Sequence, residues 1–265
     1  MRCVRTMRRA TEGIVQHWAK GTNGTIIDPI PNDQAMPQDE YFYFGILRGA
    51  GDMMKRGGHD YYFGDHAYFK AGHDNKPNWY RITKNAHTNS HITEQKPDRY
   101  EQYFQQDIVP WQTTGTQVVV CPPTGAVEWY FDAYEWLDTT VKTLKQQTDR
   151  EIVVRDKPLN PQVQTTNGIT QLKGFVKTQD QAPLEQDLKH AWCVVTFNSM
   201  VAIKSLCMGI PVICGPECCA YPMATKFKNI ENPNRPDREP WLWHLAHQQF
   251  TLDEMASGYA FNCIQ

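Results

Sequence analysis

The residues best placed to do chemistry stand at the ends of apolar runs. Asn198 and Ser199 follow the run Trp192–Phe197 and precede Met200–Met208, whose spacing is helical. Both side chains can accept from the free amides of a helix's first turn. A strand that passes through a polar turn into a helix also gathers unpaired N–H groups and the positive end of a helix dipole, which suits a phosphate. The same two residues would serve equally as a plain cap. Thr196 and Met200 flank this turn, and Tyr221 follows the next apolar run, so all three join the candidate binding set. Arg155 and Lys157 follow the run Glu151–Val154. Two cations there could neutralise a diphosphate, or could pair with surface acids. Asp65 and His66 end a third run, His59–Phe63 with Gly64. Either could take a proton from an attacking hydroxyl, and Asp65 could instead cap a turn. Arg48 and Gly49 sit in a glycine-rich turn, and Thr124 and Gly125 in the loop Pro122–Gly125, where backbone amides could meet a phosphate or base.

These residues need elements to position them. The second half alternates strand and helix: strands at Gln117–Cys121, Glu151–Val154, Trp192–Phe197 and Val212–Cys214, helices at Glu135–Gln147, Leu184–His190 and Met200–Met208. Gly209 supplies a left-handed helix end, and Pro211 prevents continuation. Such alternation implies a parallel sheet of Rossmann type, with ligands beyond the carboxyl ends of the strands. The polar stretch Asn160–Gly174 reads as loop. In the first half the pattern predicts a helix over Val4–Lys20, strands at Tyr41–Leu47, His59–Phe63 and Trp79–Thr83, and a helix over Asp52–Arg56. Pro110 and Gly115 mark a domain turn near residues 105–116. Trp241, Trp243, Leu245 and Phe250 predict a helix pair over Asp237–Gly258.

Composition narrows the function classes. The 265 residues suffice for one large or two small domains, and 40% hydrophobic residues for a real core. A net charge of −2 excludes a strongly basic nucleic-acid binder but allows a local basic face. Tyr61, Tyr62, Tyr68, Trp79 and Tyr80, interleaved with Lys70, Arg81 and Lys84, could stack bases and hold phosphates, or could be half-buried strand residues. No run is long enough to span a membrane, and the basic start MRCVRTMRR leads into no apolar signal core. A cytoplasmic location with reduced thiols is expected. Four of the eight cysteines lie between Cys207 and Cys219, without paired C-x-x-C spacing, so core packing is expected and no metal site.

The stretch TFNSMVAIKSLCMGIPVI resembles the nucleotide-sugar-binding motif of GT-B glycosyltransferases, in the branch of capsule-polysaccharide and Kdo transferases. The resemblance implies a GT-B-like α/β fold, two Rossmann-type domains with a ligand cleft between them. Residues 1–112 would form the acceptor side and 113–265 the nucleotide-sugar-binding domain, with a final helix returning to the first. It implies transfer of a sugar from a nucleotide-sugar, most simply a UDP-sugar, to a hydroxyl, with no metal or other cofactor required. Many members carry, near Ile203 and Lys204, a glutamate that holds the donor ribose; this chain has Lys204 there. The segments GILRG, YYFGDHAYF and NWYRITKN are similar to phage-encoded proteins, which implies a host-cytoplasmic enzyme with a hydroxymethylated DNA base as acceptor. A saccharide acceptor, or a non-catalytic nucleotide- or nucleic-acid-binding protein of the same fold, are the alternatives.

Overall fold

The computed structural model describes residues 1–69, 79–156, 176–177 and 183–264. The chain forms two units. One comprises Met1–Asn89, Thr93–Gln105 and the residues from Leu242 onward, the other Ser90–Ile92 and Gln106–Trp241. The division thus falls at Gln105/Gln106, where a boundary at 112/113 was expected, and the last segment goes with the first unit.

Unit 1 begins with β1 (Arg2–Val4), α1 (Arg9–Thr22), β2 (Thr25–Ile27), β3 (Tyr41–Phe44) and α2 (Ala50–Arg56). It continues with β4 (Tyr61–His66), β5 (Trp79–Lys84) and α3 (Asp98–Tyr103). The expected helix from Val4 starts later, because Arg2–Val4 pairs in parallel with both β2 and β3. On α1, Ile14, Val15, Trp18 and Ala19 recur at helical spacing and are buried. Trp18 stacks on Phe42 of β3, ring centroids 4.8 Å apart. The helix ends where Asn23 turns left-handed (φ 51°) and Gly24 N–H donates to Ala19 O.

Unit 2 runs through β6 (Gln117–Cys121), α4 (Gly125–Phe131), α5 (Trp136–Gln147), β7 (Glu151–Val154) and β8 (Val176–Lys177). Then come α6 (Leu184–Lys189), β9 (Ala191–Thr196), α7 (Val201–Cys207), β10 (Val212–Ile213) and α8 (Glu239–His247), within which the chain leaves the unit. Its sheet has the order β10-β9-β6-β7-β8, all parallel. The continuous apolar strands follow from coverage of both faces. Gly209 holds φ 77° after α7, and a Cβ there would lie 2.2 Å from Pro110 O. Only glycine fits on both counts. The expected loop Asn160–Gly174 lies outside the described residues.

The C-terminal expectation needs correction. Phe250 is not helical. It sits in β11 (Gln249–Thr251), which pairs antiparallel with β5, followed by α9 (Leu252–Ala256) and α10 (Tyr259–Ile264). The first sheet therefore reads β11-β5-β4-β3-β1-β2. Among the described residues no helix is long and apolar enough to cross a membrane.

Arg99 of α3 fastens this segment. Its Nη1 and Nη2 donate to Glu254 Oε1 and Oε2, both at 2.8 Å, and Nη2 and Nε to Gln249 O (2.9 Å) and Ala246 O (3.0 Å). Glu254 also closes the capping box of α9 with Thr251. Truncating one member of a buried, hydrogen-bonded pair strands the other. Arg99→Ala should therefore cost ~3–5 kcal/mol of stability, read from urea unfolding. A loss within experimental error would show that the clamp is dispensable.

Candidate functional site

In unit 2 the strand order reverses beside β6: β7 and β8 lie on one side, β9 and β10 on the other. A parallel sheet opens a crevice at such a switch, outside the carboxyl ends of its strands. The loops after Cys121, Val154, Thr196 and Ile213 all emerge on that edge, as the alternation of elements requires. Thr196, 1% exposed, ties the two sides together. Its Oγ1 donates to Cys121 O at 2.8 Å and accepts from Ser199 N–H at 3.4 Å.

The turn after β9 is more self-contained than expected. Ser199 Oγ accepts from Val201 N–H (3.3 Å), Ser199 O from Ala202 N–H (3.1 Å) and Met200 O from Ile203 N–H (3.1 Å). Asn198 and Ser199 lie outside the helix, Met200 is its N-cap, and the first amides of the seven-residue α7 have partners within the turn. The loop Pro122–Gly125 is likewise shorter than read, because Gly125 already opens α4, with Val127 and Glu128 N–H on Thr124 O.

A cavity of about 450 Å³ opens beside this turn, at the carboxyl ends of β9 and β10. Val195 and Ile213 line it together with Thr196, Cys214, Trp136, Tyr221, Lys226 and Phe227. Its size falls in the range of small-molecule sites. Trp136 also meets Phe197 edge-on, centroids 6.1 Å apart. Thr225, also on the wall, spends its hydroxyl on Asn234 N–H at 2.7 Å. Lys226 is exposed, and its ammonium makes no ion pair among the described residues. Of the residues singled out by sequence, Thr196 and Tyr221 line this cavity. Trp136, Cys214, Lys226 and Phe227 were missed, the last two because they open a 3-10 turn of three residues, too short to show a period.

Arg155, read as a diphosphate-binding cation or as the partner of an acid, has an acid beside it. It is 8% exposed, its guanidinium is ion-paired with Asp187, and its N–H completes a ladder bond to Val120 O. Lys157 lies outside the described residues. Cys193, Cys207, Cys218 and Cys219 are buried, whereas Cys214 reaches the cavity wall. Among the described residues no group of three or more His, Cys, Asp or Glu side chains is placed to hold a metal.

In unit 1, Asp65 and His66 belong to the end of β4 itself, opposite Arg81 and Tyr80 of β5. Arg81 Nη2 donates to Asp65 Oδ2 at 2.8 Å, and His66 N–H to Oδ1 at 2.8 Å. Burial alone would raise this carboxyl. The charge of Arg81 and the two donated bonds overcome that and hold it below the usual range. A carboxylate so committed is a weak proton acceptor. The His66 side chain is exposed, edge-on to Phe44. Arg48 is exposed with φ 57°, and Gly49, φ 89°, is the N-cap of the short α2. The amides of Ala50, Gly51 and Met53 are used within that turn, so they do not form an open phosphate cradle.

The aromatic-basic set is also corrected. Tyr62, Tyr68, Trp79, Tyr80 and Arg81 are at most 8% exposed, because β4 and β5 are interior strands of a covered sheet. These five offer no platform for stacked bases; of the rest of the set, Tyr61 is half-buried and Lys84 exposed. Lys70 lies outside the described residues.

No protein-family model matches the chain, and no curated protein matches it. Solved structures do. The chain is similar to Thermosulfurimonas dismutans KpsC, beta Kdo 2,4 transferase, with TM-score 0.56 and 13% identity over 95% of this chain and 92% of that one. It is also similar to the beta Kdo 2,7 transferase of the same KpsC, with TM-score 0.54 and 10% identity over 98% and 99%. At such identities the likeness shows the fold, which is that of these glycosyltransferases.

His87, half-buried beside Arg81 and Asp65, makes a measurable consequence. Its burial, then the Arg81 charge, push it down from 6.5 to about 3, with Asp65 opposing. The unfolded chain takes up this proton as pH falls through 6.5, and the native protein does not until about 3. Stability should fall across that window and be fully present above it. His87→Gln should flatten the decline between pH 7 and pH 4.5 in urea midpoints. An unchanged slope would remove His87 from the account.

Proposed function

We propose that the protein is a glycosyltransferase that takes its sugar from a nucleotide-sugar held in the unit 2 cavity. The observation that carries this reading is the cavity at the carboxyl ends of β9 and β10, in a parallel sheet of order β8-β7-β6-β9-β10, within a fold shared with two Kdo transferases. Trp136 and Phe227 offer apolar faces for a base, and Lys226 offers an unpaired cation for a phosphate. A fixed cation of this kind stabilises the charge that develops on a departing nucleotide. The reading needs no bound metal.

The acceptor is a hydroxyl, and its proton needs a base. Asp65, whose oxygens Arg81 and the His66 amide occupy, does not suit this task. The similarity to Kdo transferases favours a saccharide acceptor over the DNA base that the phage resemblance implies, and the burial of the aromatic-basic set agrees. A non-catalytic nucleotide-binding protein is the second reading, favoured by Lys204, which pairs with Glu185 where relatives by motif carry a ribose-holding acid.

Calorimetry with UDP-, GDP-, ADP-, TDP- and CMP-linked sugars should find one nucleotide series that binds. Lys226→Ala should weaken that series about 10- to 100-fold, the scale of one charge-assisted contact. Slow release of free nucleotide without acceptor marks the enzyme, and binding without turnover marks the module. If no nucleotide or nucleotide-sugar binds the folded protein, the donor reading is wrong.

A further inference from the structure

Cys214 has no part in the donor reading, although it is a wall residue of the unit 2 cavity. It directly follows β10 and is partly exposed. Cys218 comes four positions later and is 1% exposed. The chain between them, Gly215-Pro216-Glu217, is folded back on itself by Cys218 N–H, which donates to Gly215 O at 3.1 Å. That reversal returns the second cysteine to the first, and the two side chains are hydrogen-bonded through their sulfurs. All eight cysteines are thiols in this structure, so the pair is seen in its reduced form. The turn is also tied to a second wall residue: Cys218 O accepts from Tyr221 N–H at 3.1 Å, and Tyr221 lines the cavity. Whatever moves Cys218 acts on the wall twice, through the Cys214 sulfur and through the Tyr221 amide.

Two thiols in contact are a short movement from a disulfide, in which the sulfurs close to about 2.0 Å. We propose that Cys214 and Cys218 are a peroxide-reactive dithiol whose disulfide reshapes the cavity wall. Cys214, the one open to the cavity, meets the oxidant. Its sulfur bonds to one oxygen of hydrogen peroxide as the O–O bond breaks. The other oxygen leaves as water with the thiol proton, and Cys214 becomes a sulfenic acid. The Cys218 sulfur then attacks the Cys214 sulfur, the S–O bond breaks, and the hydroxyl leaves as a second water with the Cys218 proton. The two sulfurs have lost two electrons, and the peroxide has become two waters. A small thiol reverses the step by exchange. The bond to Cys218 and burial raise the Cys214 thiol. Thiolate is the reactive form, so closure is slow near neutral pH and faster as pH rises. In the disulfide the Cys214 sulfur is drawn to Cys218 and withdrawn from the wall, and the turn that carries Tyr221 tightens. A consequence for ligand affinity rests on the donor reading above; the bridge and the change in the wall do not.

The test treats the full chain with hydrogen peroxide, alkylates the remaining thiols and cleaves after Glu217. Cys214 and Cys218 then lie on different fragments, which a bridge holds together until it is reduced. The bridge should form in the wild type and in Cys219→Ser, be lost in Cys218→Ser, and form faster as pH is raised. Hydrogen exchange over residues 214–227 should differ between the oxidised and reduced chains and revert on reduction. Calorimetry with the nucleotide that the reduced protein binds best should show about a 10-fold or greater loss of affinity on oxidation. A Cys214 that stays a thiol under peroxide sufficient to oxidise the exposed Cys263, or that bridges to Cys219 instead, would overturn the pairing. Unchanged exchange over 214–227, or unchanged affinity, would overturn the effect on the cavity. If no nucleotide binds the reduced protein, the donor reading fails, and the bridge and the exchange still decide this one.

Discussion

The parallel pairing of β6 with β9 is the constraint on which unit 2 depends. Once Cys121 stands opposite Thr196, every loop that can carry chemistry leaves the sheet on one edge. The pairing is local in space and distant in sequence, so α4, α5, β7, β8 and α6 must all be accommodated between the two strands. Thr196 then does two things with one hydroxyl. It bridges β6 and β9 where the strand order reverses, and it accepts the amide of Ser199 and so starts the turn into α7. The cavity forms because β10 is short: two residues of ladder are followed at once by Cys214, Gly215 and irregular chain that curls round to Lys226.

Unit 1 solves a different problem. Its sheet has four parallel strands, β2, β1, β3 and β4, with β5 antiparallel to β4 and β11 antiparallel to β5. The antiparallel pairing of β4 and β5 brings Asp65 against Arg81, and His87 reaches the same pair. A charge network of this kind is held by its own members, which is why Asp65 is ionised and committed. Arg99 plays the corresponding part at the other edge, where it adds to the β11–β5 ladder and to the Tyr68 and Phe69 N–H bonds on Gln249 Oε1.

Much of unit 2 could be read from sequence because its strands are unbroken β-branched runs and its helices end at Gly209 or before Pro211. Gln117–Cys121 and Glu151–Val154 fall where the pattern puts them. Three-residue strands carry no such signal. β1 was not picked out, its last residue being read as the start of a helix, and β11 was hidden between two helical stretches because Phe250 continues their apolar spacing. The site was legible to the extent that it lies at strand ends: Thr196 and Tyr221 were picked out and do line the cavity. The partner of Arg155, Asp187, was not legible because it is 32 residues away and pairing is a tertiary fact. Lys226 and Phe227 open a three-residue 3-10 turn, too short to leave a period in the sequence, so only the fold shows what they face.

The central claim is that a nucleotide occupies the carboxyl edge of the unit 2 sheet. A crystal structure of the protein with its best-bound nucleoside phosphate tests it most directly. The account predicts the base between Trp136 and Phe227, and a phosphate oxygen within hydrogen-bonding distance of Lys226 Nζ. A nucleotide bound elsewhere, with this cavity filled only by water, would contradict it.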